Sequence, residues 1–378
     1  VTLTWLGADG AIGGTGLNAD VVYPAVTTGS GIFQQGEYYF CGLTDGLGAT
    51  DNNYKITYTS PANMTPTRSN QGSQTNGGTA DSDGTITGMD LSMTMETFAF
   101  TFPTPTTENG TGDSGAAGVG DFGDAQTDET HDQGFAFLDY GDLPQTGNGD
   151  AFSTTMANNG AVHVILPGFK LGTSVDGELD GTPSAVANGD GADEDGVTFT
   201  SPLIPGNNAT ISVVSMNPTG AAAVLQGWID WNNNGLLDAS EALAFTSSVI
   251  PTGNATTTFT FPVPAAAIFN DGMVFARFRL SPTGGLTANG PDKFGTAPVP
   301  QGEVEDYKLN VGKVGNLVWE DRDFDGVQDA PATEPGINGV SVQLVWAGAD
   351  NTIGGADDVT YVALTTGSGT FDQGEYYY

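Results

Sequence analysis

Met273–Ser281, MVFARFRLS, alternates by a period of two: Ala276, Phe278 and Leu280 fall on one face of an extended strand, Arg277 and Arg279 on the other. Working outward, NATISVVSMN (Asn208–Asn217), AAAVLQGWIDW (Ala221–Trp231) and ATTTFTFPV (Ala255–Val263) read the same way. So do YKITYTS (Tyr54–Ser60) and ETFAFTF (Glu96–Phe102) further upstream. Between these runs lie Gly, Pro, Asn, Asp and Thr, the residues of turns; the chain has 56 Gly and 20 Pro among 378 residues. Helix is expected only as a turn near Ala239–Leu243 or Ala265–Phe269. The predicted fold class is all-β.

Charge narrows the partners. Nine Lys and Arg face 45 Asp and Glu, a formal net charge of −36. Nucleic acid and anionic lipid are bound through basic clusters, so neither is an expected partner. No apolar stretch approaches the roughly 18 residues of a membrane span. One cysteine, Cys41, forms no internal disulfide framework. With only His131 and His163 beside it, a zinc site of the usual kind is not expected.

The two ends of the chain repeat each other. VTLTWLGADGAIGG (Val1–Gly14) aligns with VQLVWAGADNTIGG (Val342–Gly355) at 9 of 14 positions, and TTGSGIFQQGEYYF (Thr27–Phe40) with TTGSGTFDQGEYYY (Thr365–Tyr378) at 11 of 14. The chain is thus expected to cover one period of a tandem array plus an overlap. The later copy has an opening strand and loop from about Val314 that no residues before Val1 match. The expectation is that the adjoining polypeptide or a neighbouring chain completes each copy. Four segments follow: a β module over residues 1–103, a linker or long loop over 104–135, a second β module over 136–311, and the first half of the next copy over 312–378.

The acids are placed in turns. Asp230, Asn232, Asn234, Gly235, Asp238 and Glu241 satisfy a twelve-residue calcium loop, D-x-[DN]-x-[DN]-G-x5-E, with the Leu236 carbonyl at its seventh position. Side chains at alternate positions turn toward one cation, and the glycine permits the bend. A strand leads in where an EF-hand has a helix. Asp321, Asp323, Asp325, Gly326 and Asp329 repeat the pattern, with Val327 at the carbonyl position and Glu334 as the closing acid. Aspartates two residues apart repel one another unless a cation lies between them. Weaker candidates are Asp81 and Asp83, the run Asp190–Gly196 with Asp193 and Asp195, Asp176/Glu178/Asp180, and Glu303/Glu305/Asp306. Asp9 and Asp20, with Asp350, Asp357 and Asp358 in the second copy, lie in Gly-rich loops that read equally as solvated turns. Many oxygen donors on loops favour Ca2+ over Mg2+, at several sites.

Two resemblances follow from these motifs. VGNLVWEDRDFDGVQDAPATEPGINGVSVQLVW (Val314–Trp346) resembles the opening of the SdrD-type B repeat, and GEYYFCGL, YKITYTSPANMTPT and DSDG resemble its later motifs. That resemblance implies an Ig-like or prealbumin-like β-sandwich of a bacterial surface stalk, with calcium on Asp321, Asp323, Asp325 and Asp329, and on Asp81 and Asp83. DYGDLP (Asp139–Pro144), LGTSVDGELDG, DEDGVTF, WIDWNNNGLLD, ARFRLS and GEVEDY (Gly302–Tyr307) are similar, in order, to the GEVED domain of secreted bacterial proteins. This implies secretion and a second sandwich, the modules joining into an elongated repeat array, but no reaction. The scarce arginines Arg277 and Arg279 are expected to pair with Glu303, Glu305 or Asp306; His163 reads as an ordinary strand residue.

Three functions compete. The chain reads first as part of an extracellular fibre or stalk, extended by self-association or by tandem continuation of the polypeptide. The alternative is an adhesin holding a glycan or surface ligand through Trp5, Trp228, Trp231 or Trp346. The remote alternative is a secreted hydrolase using paired carboxylates. No nucleophile, metalloprotease or phosphate-loop motif is present, so no catalytic residue is expected.

Overall fold

The computed structural model describes residues 1–5, 21–24, 54–67, 93–98, 134–145, 152–269, 272–290, 298–348, 350–367 and 372–378. The chain divides into two compact units, one comprising Val1–Leu138 with Gly177–Leu179, the other Asp139–Asp176 with Asp180–Tyr378. Among the described residues both are all-β, and helix is limited to single 3-10 turns at Met156–Asn158 and Ala239–Glu241, the latter within the expected stretch. No helix is long and apolar enough to cross a membrane.

In the first unit, β1 (Thr2–Trp5), β2 (Val21–Pro24), β3 (Tyr54–Thr59) and β5 (Met93–Phe98) form an antiparallel sheet in the order β2-β1-β3-β5. Leu3 pairs with Ile56, both buried, and Tyr58 continues the buried row. The last strand begins three residues earlier than the sequence pattern suggests. β4 (Met64–Pro66) pairs with the first residues of β6 (Phe135–Tyr140).

In the second unit, two short strands precede the main sheets: β7 (Val162–Val164) and β8 (Lys170–Leu171). β9 (Val197–Phe199), β10 (Asn208–Asn217) and β13 (Gly253–Pro262) join β8 in one sheet, with β10 central. β11 (Ala223–Ile229), β12 (Val249–Ile250), β14 (Met273–Ser281) and β15 (Glu303–Asn310) form the other, in the order β12-β11-β14-β15. The two sheets bury one core between them: Ile211 and Val213 of β10, Phe259 and Phe261 of β13, Leu225 and Ile229 of β11, and Ala276, Phe278 and Leu280 of β14. This is a β-sandwich, and the alternation of MVFARFRLS sets which side chains enter it.

β14 is buried on both faces. Its second face, with Phe275, is covered by loops that carry Leu143, Phe152, Ala187 and Ala288, and Trp228 and Leu237 join this smaller core. Arg277 and Arg279 therefore lie in a dry layer and not on the surface. The chain continues through β16 (Gly315–Leu317), β17 (Ser341–Trp346), β18 (Val359–Leu364) and β19 (Glu375–Tyr377), which pair as β16-β19 and β17-β18.

Candidate metal-binding loops and a buried charge cluster

The loop Asp230–Glu241 leaves β11 and is closed by its own backbone. Asp230, buried at the strand end, accepts the Asn234 N–H on Oδ1 at 3.0 Å and the Gly235 N–H on Oδ2 at 2.9 Å. Glu241, also buried, accepts from Asn232 N–H at 3.3 Å and Asp238 N–H at 2.8 Å. Asn234 Oδ1 takes the Leu236 N–H at 2.9 Å, an Asx turn. Gly235 has φ +76°, and Asn233, a residue that tolerates the left-handed region, has φ +54°. Asn232, Asn234, Leu236 and Asp238 are exposed. Trp231 and Leu237 anchor the loop in the two cores. Burial raises the Glu241 carboxyl above its ordinary value.

The loop from Asp321 reproduces this frame. Asp321 accepts Phe324 N–H at 2.7 Å on Oδ1 and Gly326 N–H at 2.9 Å on Oδ2. Glu334 accepts Asp329 N–H at 2.8 Å, as Glu241 does from Asp238 at the matching position, and Arg322 N–H at 2.7 Å, one position earlier than Asn232. The two additional residues are absorbed in a turn where Thr333 and Glu334 N–H bond the Ala330 carbonyl. The longer loop thus still delivers a buried glutamate to the closing position.

The surroundings differ. Asp323, Asp325, Val327 and Asp329 are exposed, and Phe324 is 93% exposed. Asp323 and Asp325 each use Oδ1 to accept an N–H two residues on, at 3.3 and 2.7 Å, leaving Oδ2 of each without a hydrogen bond. Asp321, Asp323 and Asp325 bring one carboxylate oxygen each within 4.8 Å of the others. Partial desolvation, then Asp325, Glu334 and Asp329, raise the Asp323 carboxyl. Crowded hard oxygens on a flexible-length loop fit calcium, the ion that the B-repeat resemblance implies. Asp230, Asp238 and Glu241 are not such a close group among the described residues.

The remaining candidates separate. Asp81, Asp83, Asp9 and Asp20 lie outside the described residues. Asp195 turns to Thr173, accepting its N–H at 2.8 Å and its hydroxyl. Asp193 is buried, with carboxylate oxygens of Asp176 and Asp190 within 4.8 Å. Asp180 accepts the Met156 N–H at 2.5 Å, while Glu178 belongs to the first unit, its N–H bonded to the Leu138 carbonyl at 2.9 Å.

The GEVEDY strand divides its acids between two layers. Asp306 stands opposite Arg277 in the β14–β15 register and pairs with it through two bonds of 2.7 Å, both side chains fully buried. Asp306 Oδ2 also accepts Asp142 N–H at 2.7 Å and Leu143 N–H at 3.0 Å, joining the DYGDLP turn to the pair. A Cβ on Gly141 would stand 2.2 Å from that oxygen, so only glycine fits there. Glu305 lies opposite Phe278, on the core side, and accepts Gly196 N–H at 2.7 Å and the Tyr307 hydroxyl at 3.0 Å. Glu303 accepts the Leu171 N–H. Burial pushes Glu305 up to about 8 and Glu303 well above its ordinary value.

Of the expected arginine pairs, Arg277 finds an acid and Arg279 does not. Arg279 Nε donates to His163 Nε2 at 2.9 Å, and its other nitrogens reach the carbonyls of Val162, Thr287 and Asn289. His163 is therefore more than a strand residue: burial, then Arg279, hold its pKa well below the usual value, so the neutral ring can accept. Burial, then Arg277, bring Arg279 down to about 9. The alternating Arg-x-Arg was legible in sequence. The histidine 116 residues away was not, because its approach depends on the packing of a distant loop.

Trp228 and Trp231 are buried. The indole faces that an adhesin would offer to a sugar are here part of the cores.

Comparison with known proteins fits this geometry. The GEVED domain profile matches residues 224–310, and the SdrD B-like domain profile matches residues 312–377. The two matches follow one another along the chain. SdrD B-like domains occur in surface proteins, and domains of these two types are typical of structural and surface modules. No curated protein and no solved structure matches the chain.

Proposed function

We propose that this chain is a segment of an extracellular, cell-surface fibre or stalk, built from tandem β modules and stiffened by Ca2+. Asp321, Asp323 and Asp325 hold one ion, with the Val327 carbonyl, Asp329 and Glu334 completing or supporting the shell. The loop of Asp230, Asn232, Asn234, Leu236, Asp238 and Glu241 takes a second ion with less effect, because Trp231 and Leu237 already hold it in apolar cores. The chain extends by tandem continuation or self-association, and its role is mechanical rather than catalytic.

The observation that carries this reading is the 4.8 Å convergence of three aspartate oxygens on an exposed loop without an apolar anchor. Like charges so arranged favour a bridging cation. The SdrD B-like match and the internal repeat support the stalk role. The net charge of −36 argues against nucleic acid and anionic membrane as partners.

The test is limited proteolysis and small-angle scattering of the full chain with Ca2+ and with a chelator. The expected result is cleavage within residues 321–330 and a more flexible particle only after chelation. Identical cleavage and scattering in both conditions overturn the reading.

A further inference from the structure

Beneath the GEVEDY strand, two irregular loops of the second unit turn acids inward. Asp176, Asp190 and Asp193 each place a carboxylate oxygen within 4.8 Å of the others, and Asp190 and Asp193 are only 6% exposed. Crowded acids alone do not define a site. Here a separate observation points the same way: Asp193 Oδ1 is shut off from solvent without a hydrogen-bond partner. Next to it, Asp142 accepts Gly189 and Asp190 N–H on Oδ2, yet its fully buried Oδ1 also has no partner. Glu303 Oε1 repeats the pattern.

A buried carboxylate oxygen without a donor is costly, and native structures rarely leave several together. The two buried arginines do not relieve them: Arg277 is held by Asp306, and Arg279 by His163 and backbone carbonyls. What the oxygens lack is positive charge.

We propose that Asp176, Asp190 and Asp193 bind a divalent cation, Ca2+, at a site independent of the two loops described above. The donors are all oxygen and all carboxylate, the set chosen by hard ions and refused by soft ones. The ion ties the loop before Gly177 to the loop of residues 189–196, and through Glu303 and Glu305 to β15.

The test is calorimetric Ca2+ titration of the chelator-stripped full chain and three variants. Asp193→Asn removes one bound ion from the stoichiometry. Asp176→Asn changes an exposed residue, leaves the circular dichroism of the chain unchanged, and weakens one class of site by about tenfold or more. An Asp321→Asn/Asp325→Asn double variant loses a different ion and keeps this one, so the two readings fail separately. If Asp193→Asn does not fold, Asp176→Asn decides. A folded Asp176→Asn chain with the stoichiometry and affinities of the parent overturns the proposal and leaves a proton-sharing acid cluster.

Discussion

The loops that begin at Asp230 and Asp321 share one hydrogen-bond frame and differ in what holds it. In each, the first aspartate accepts two N–H groups, a buried glutamate accepts two more, and positions four and six have positive φ. The first loop has three acids, and its second and eighth residues, Trp231 and Leu237, are set in apolar cores. The second has five acids, and Arg322 and Gln328 stand at those two places. Packing can hold the first loop without an ion. The second has crowded charge and little burial, so on the reading proposed above its order would rest on a cation. One motif would then encode two degrees of metal dependence, decided by the residues between the candidate ligands.

The largest expected break in this comparison is Trp231→Ala, which removes the core anchor and costs about 3–5 kcal/mol in chemical denaturation. Phe324→Ala, a change at the 93% exposed aromatic of the other loop, stays within about 0.5 kcal/mol. Equal costs for the two would show that the loops are anchored alike.

Calcium removal comes next. At saturating ion, binding adds about 2–3 kcal/mol, and chelation withdraws it. In an Asp230→Asn background the loss in the melting step of residues 312–378 is expected to disappear with Asp325→Asn, while the middle segment keeps its own response. A calcium response of residues 312–378 that survives Asp325→Asn would move that ion elsewhere.

A smaller effect follows from the buried acids of the middle segment. Burial pushes Glu305 up to about 8, and burial followed by Asp142 pushes Glu194 up to about 10. A raised folded pKa means the folded state holds its proton more tightly. The associated stability is complete below the ordinary value near 4.5 and is lost as pH rises through about 8 and then 10. Calcium-free chain is therefore expected to melt higher near pH 5 than near pH 8.5, by about 1–2 kcal/mol after allowance for solvent screening. Excess Ca2+ should flatten this slope, because metal and proton compete for carboxylates. A scan with stability rising from pH 5 to 8.5 in chelator would contradict the assignment.

The smallest effect concerns backbone strain. Phe324 has φ +65°, a conformation costly for a bulky side chain, so Phe324→Gly should gain roughly 0.5 kcal/mol. Asn233→Gly, at φ +54°, should change little, since asparagine already tolerates that region. Differential scanning calorimetry of the pair sharpens the contrast between a tuned loop and a strained one.

The amino-acid sequence by itself determined the longer strands of the middle segment, the repeat and two loops with the spacing of a calcium motif. Side-chain alternation assigns each residue of MVFARFRLS to a face without reference to the rest of the chain, and Asx and glycine turns close over a few residues. The sequence also placed Arg277 on the face it would share with an acid. Only the tertiary structure decided that Arg279 meets His163, that Glu305 joins the core side, and that Asp176, Asp190 and Asp193 converge. Those outcomes depend on how loops distant in sequence settle over β14 and β15, where packing and desolvation, rather than local periodicity, select the partner.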